Sequence, residues 1–86
     1  MHELSLMADL IKKIDEVAQE QDADRVVAVR VKLGALSHIS ASHFREHFVQ
    51  GTKGTRAEGA RLDVEVSEDS KDPNAQEILL QSIEVL

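Results

Sequence analysis

From Arg25 to Gly34 the chain alternates with period two. Val27, Val29, Val31 and Leu33 fall on one side, and Ala28, Arg30 and Lys32 on the other. That pattern predicts a half-buried strand, ended by Gly34. It constrains the fold more than any other stretch, because a strand with one apolar face needs neighbouring strands and a covering layer. Residues 60–67 repeat the pattern, with Leu62, Val64 and Val66 inward and Arg61, Asp63 and Glu65 outward. Between the two runs a helix is expected from about Ser40 to Gln50. Ser40 or Ser42 would cap it, and Ala41, Phe44, Phe48 and Val49 would form its apolar edge. Strand–helix–strand crossovers within one sheet are right-handed and join parallel strands.

A longer helical pattern precedes this unit. Leu4, Met7, Ala8, Ile11, Ile14, Val17 and Ala18 recur at spacings of three and four, opposite Asp9, Lys12, Lys13, Asp15, Glu16 and Glu20. Glu3 or Ser5 would cap its start, and Gln21-Asp22-Ala23-Asp24 breaks it. Leu36 and Ile39 are expected to anchor the loop after the first strand. Gly51-Thr52-Lys53-Gly54-Thr55 is a breaker-rich connection, and Asp72-Pro73-Asn74 a turn. The segment Glu77–Val85 is strand-like. Its buried face is open between Leu79, Ile83, Val85 and Ile78, Leu80, Leu86. The order α-β-α-β-β gives an α/β fold: a small mixed three-stranded sheet with two helices packed on one face, in a single domain over residues 1–86. The other face, carrying Arg30, Lys32, Arg61, Asp63 and Glu65, stays wet or meets a second molecule.

Composition narrows the function. The chain has no cysteine, which excludes disulfides, thiolate metal sites and thiol catalysis and fits a cytoplasmic setting. The net charge of −6, with two Phe as the only aromatics, argues against a nucleic-acid partner. No apolar run approaches a membrane span, and no signal peptide is expected.

The start, Met1-His2-Glu3, carries the most chemistry. The α-amine of Met1, the deprotonated amide of His2 and the His2 imidazole can converge on one cation through small chelate rings, with the Glu3 carboxylate next door. Planar nitrogen-rich coordination suits Ni(II) or Cu(II). The other histidines are weaker candidates. His43 and His47 stand at i and i+4 on the second expected helix, but H-F-R-E-H is not the zinc-protease motif, and two imidazoles leave a metal's coordination unfilled. They read as surface residues flanking Phe44 and Phe48, and His38 as a loop histidine. Asp15/Glu16 and Glu68/Asp69 read as solvated faces. Ser37-His38 and Ser42-His43 lack a nucleophile elbow, and the four glycines match no phosphate-binding loop. No enzyme is expected.

Met-His-Glu-Leu-Ser-Leu ahead of an amphipathic helix resembles the HypA/HybF family of hydrogenase nickel-incorporation proteins. So do Val31-Lys32-Leu33-Gly34-Ala35-Leu36-Ser37, Gly54-Thr55, Ala57-Glu58-Gly59-Ala60-Arg61-Leu62 and Ile83-Glu84-Val85. These stretches follow the family's order and spacing to about residue 66, and residues 76–86 look like its last strand. The resemblance implies a nickel metallochaperone. Ni(II) would sit at Met1, His2 and Glu3 and pass to the hydrogenase large subunit, with a GTPase maturation factor as second partner. It also implies a zinc ribbon with two CxxC pairs between the last two strands. Here residues 67–75 stand in its place, so the chain is either naturally ribbon-less or a piece with the ribbon removed. Many relatives place a carboxylate at the position of Ser40, which this chain cannot supply. If the 67–75 loop is too short to reverse the chain, the last strand crosses to a neighbour and gives a strand-swapped homodimer. The alternative function is a metal-free interaction module in metalloenzyme assembly, docking through the acidic sheet face or the first helix.

Overall fold

The computed structural model describes residues 3–86, with side chains from Ser5 onward. The elements follow the expected order: α1 (Glu3–Glu20), β1 (Val26–Leu33), α2 (Ala41–Gly51), β2 (Arg61–Val66) and β3 (Ile78–Val85). The sheet order is β2-β1-β3. β1 runs parallel to β2, with Val29 opposite Leu62, and antiparallel to β3, with Val29 opposite Ile83. Met7, Leu10, Ile14 and Ala18 of α1, and Phe44 and Phe48 of α2, share one buried cluster with Val26, Val29, Val31, Leu33 and Leu62. Both helices therefore cover the same sheet face.

Two bulges set which residues face that cluster. In the β1–β3 ladder, Val26 pairs with Val85 and Ala28 with Glu84, leaving Val27 as an extra residue. Arg30 pairs with Ser82 but Val31 with Leu80, leaving Gln81 extra on β3. An extra residue reverses the alternation beyond it. Val26, Val29, Val31 and Leu33 thus point inward, and Val27, expected inward, is 37% exposed. On β3, Ile78 and Leu80 face the core before the bulge, and Ile83 and Val85 after it. Neither simple alternation describes this strand. Leu79 lies on the wet face opposite Lys32.

Other expectations need correction at the edges of the core. Val66 ends β2 beyond the helices' reach and is 54% exposed, and Val49 on the outer side of α2 is 59% exposed. Ala8 is exposed, whereas Leu10 is buried in the stripe. Ile39 packs against the core as expected, but Leu36 is partly exposed. Thr52 is buried and donates from Oγ1 to the Phe48 carbonyl at 2.8 Å. This bond closes the end of α2.

α1 ends in a Schellman motif. The Ala23 N–H donates to the Ala18 carbonyl at 2.9 Å and the Asp22 N–H to that of Gln19 at 3.0 Å. The left-handed position is Asp22, at φ 53°, where glycine is preferred. An acidic side chain there also opposes the negative helix end. Asp22→Gly is expected to raise stability by about 0.5–1 kcal/mol, read as a higher urea midpoint with an unchanged slope.

Residues 67–77 connect β2 to β3 across the end of β1. The Ser67 N–H donates to the Leu33 carbonyl at 2.9 Å, and the Gly34 N–H to that of Glu77 at 2.9 Å. The Leu36 N–H donates to the Ala75 carbonyl at 2.7 Å. The connection is long enough to close the sheet within one chain, so strand exchange is not needed to complete it.

Candidate metal centre

The start of α1, the β1–α2 loop and the 72–77 turn meet at one end of the molecule. They enclose an open cleft of about 430 Å³ lined by Leu6, Leu36, Ser37, His38, Asp72 and Glu77 among others. Gly34 makes this meeting possible. A Cβ there would fall inside the van der Waals envelope of the Ala75 carbonyl and 2.8 Å from that of Asn74. Both neighbours are backbone, so neither can step aside. Gly34→Ala is expected to cost about 1–3 kcal/mol, the usual range for overpacking, and to show as a lowered thermal midpoint.

Of the expected metal ligands, Met1 and His2 lie outside the described residues. Glu3 is the first residue of α1, and its side chain is not described. His38 borders the cleft with its backbone in the left-handed region at φ 60°. Ser40 is committed elsewhere: at φ −77°, ψ 152° it caps α2, its Oγ accepting from the His43 N–H at 3.2 Å. That settles the choice of cap between Ser40 and Ser42.

His43 and His47 do neighbour each other. Their ring centroids lie 4.5 Å apart, edge to face, His43 exposed and His47 half-buried beside α1. Among the described residues, no three His, Asp or Glu side chains gather as a metal-ligand set.

Of the carboxylates expected on solvated faces, Glu16, Glu68 and Asp69 are exposed, and Asp15 and Asp69 also hold the fold. Asp15 pairs through Oδ1 with the Arg56 guanidinium and accepts from Gln19 Nε2 at 2.7 Å through Oδ2. This ties α1 to the segment after α2, whose Arg56 carbonyl accepts the Val26 N–H at 2.9 Å. Asp69 and Asp72 accept the backbone N–H two residues on, from Lys71 at 3.0 Å and Asn74 at 2.9 Å, building the turns beside the cleft. Sequence reasoning missed the Asp15–Arg56 pair because nothing local connects positions 41 residues apart.

A family model described as "Hydrogenase/urease nickel incorporation, metallochaperone, hypA" matches residues 1–71. The chain belongs to the HypA family. Hydrogenase maturation factor HypA of Methylocella silvestris is 41% identical over 66 residues, covering 77% of this chain and 58% of the relative. Its namesake in Archaeoglobus fulgidus is 38% identical over 66 residues, with 77% and 60% covered. The chain thus spans about three-fifths of the length of these curated relatives. The solution structure of the Ni metallochaperone HypA from Helicobacter pylori superposes with a TM-score of 0.81 at 22% identity, covering 100% of this chain and 98% of that one. A likeness at that identity establishes the shared fold. HypA proteins form a metallochaperone family, not a family of enzymes. No described helix is long and apolar enough to cross a membrane.

Proposed function

We propose that this chain is the nickel-carrying part of a HypA-type metallochaperone, holding Ni(II) at Met1, His2 and Glu3 for transfer. The observation that carries the reading is the family match, which begins at residue 1 and whose description names nickel incorporation. The donor set fits the cargo. An α-amine, an amide nitrogen and an imidazole supply the planar nitrogen field that Ni(II) favours.

Delivery would go to a hydrogenase large subunit in the cytoplasm, with a GTPase maturation factor assisting. Urease, which the family description also covers, is the second recipient class. The residues 67–77 contain no cysteine, so a zinc-dependent step is not assigned to them.

The reading is tested by nickel titration across pH. Metal and protons compete for the amine, amide and imidazole nitrogens. Affinity should fall steadily as the solution is acidified, and the planar-nickel absorption band should vanish with it. Binding that is flat through mild acid, or a spectrum of octahedral nickel only, overturns the proposed chelate.

A further inference from the structure

The two histidines of α2 touch. Four residues apart on a helix, His43 and His47 stand one above the other on a single face. Their ring centroids are 4.5 Å apart, edge to face, so both side chains lean toward each other. His43 is exposed and His47 half-buried. His47 stands at the edge of the groove between α1 and α2, with Met7, Ala8 and Lys12. The backbone beneath the pair is held at both ends. Ser40 Oγ accepts the His43 N–H at 3.2 Å, and Thr52 closes the far end of the helix. Phe44 and Phe48, each next in sequence to one of the histidines, are buried in the core. Arg45, which follows Phe44, is turned away, its Nη1 donating to the Leu62 carbonyl at 2.7 Å.

We propose that His43 and His47 form a second site for a divalent first-row metal ion, separate from the terminal chelate and more weakly held. Imidazole is a good donor to Ni(II), Cu(II) and Zn(II), and an i,i+4 pair is the helical spacing by which two histidines bind one ion. Because α2 is anchored before the ion arrives, chelation has to order little more than two side chains. A ligating imidazole uses one of its two nitrogens, and the other keeps its own contacts. Among the described residues lining the hollows at His47, Glu46 favours a cation and Lys12 opposes it. Both are exposed and screened by solvent, so the imidazoles decide the affinity. Two protein donors leave the other coordination positions to water. An ion held this way exchanges readily, which suits a site that collects metal rather than stores it.

The test is a titration of the isotope-labelled chain with Ni(II), read from the imidazole signals of His38, His43 and His47. Water-completed Ni(II) is paramagnetic, so the His43 and His47 signals should broaden together, at lower nickel than the lone loop histidine His38. His43→Ala changes an exposed residue and should weaken this event at least about tenfold, the lower end of what disturbing a metal's surroundings costs. Circular dichroism and the planar-nickel band should stay as they were. The double variant Ser42→His, His43→Ala keeps two imidazoles but moves one off the shared face, and should not restore binding. His2→Ala should leave the response of the pair in place, which separates this site from the terminal chelate. Broadening of His43 and His47 no earlier than His38 overturns the proposal. So does an unchanged event in His43→Ala, its restoration by the shifted histidine, or its loss in His2→Ala.

Discussion

Acetylating the α-amine of Met1 is expected to lower Ni(II) affinity by at least about a hundredfold. Disturbing a group that merely orients a metal ligand costs roughly 10–100-fold, and the acetyl cap does more. It turns the α-amine into an amide and supplies no new amine, so a direct ligand is lost along with the ring it closed. His2→Ala should do comparable damage by removing the imidazole. Isothermal titration of the untagged chain against both variants measures the effect, and far-UV circular dichroism confirms that the fold is kept. Equal affinity in the acetylated chain would place the ion elsewhere. A carrier that retained full activity in cells with His2→Ala would instead be acting as an assembly module.

Phe44→Ala should cost the fold about 3–5 kcal/mol, the range for an aromatic removed from a packed core. Phe44 is 0% and Phe48 2% exposed, with ring centroids 6.2 Å apart. The two rings are the main contribution of α2 to the shared cluster, so no neighbouring side chain on that helix can fill the space. At roughly 0.05–0.15 kcal/mol per residue, a chain of 86 residues holds about 4–13 kcal/mol in all. The substitution should therefore remove much of the folding free energy, and near the lower end it leaves the chain unfolded. Urea denaturation followed by circular dichroism reads the loss. Phe44→Leu should cost clearly less, since most of the volume remains. A midpoint unmoved by Phe44→Ala would mean that α2 is not part of the cooperative core.

The fold was readable where one period holds along a whole element. The stripe of α1, the rings of α2 and the core-facing positions Val29, Val31 and Leu33 all follow from spacing alone. Spacing failed where an extra residue enters the ladder. Gln81 splits β3 into two halves of opposite phase, so both alternations proposed for it were half right. Val27 was misplaced by the same cause. A bulge is set by pairing with a distant strand, and no neighbouring residue announces it. The candidate chelate was legible for the opposite reason: it is built from consecutive residues of the backbone. The Asp15–Arg56 tie and the groove between the helices were not, since both exist only once the chain has folded.

The feet of the 67–77 connection rest on adjacent residues of β1. Ser67 is held by Leu33, and Glu77 by Gly34. Whatever length of chain lies between them, its two ends are clamped one peptide unit apart by bonds that belong to the sheet. Extending a loop with fixed ends costs only about 0.6 kcal/mol per doubling. The position is therefore a natural socket, able to receive or give up a whole module without resetting any strand. Because the same socket opens beside Leu6, a module plugged in there would stand against the first turns of α1.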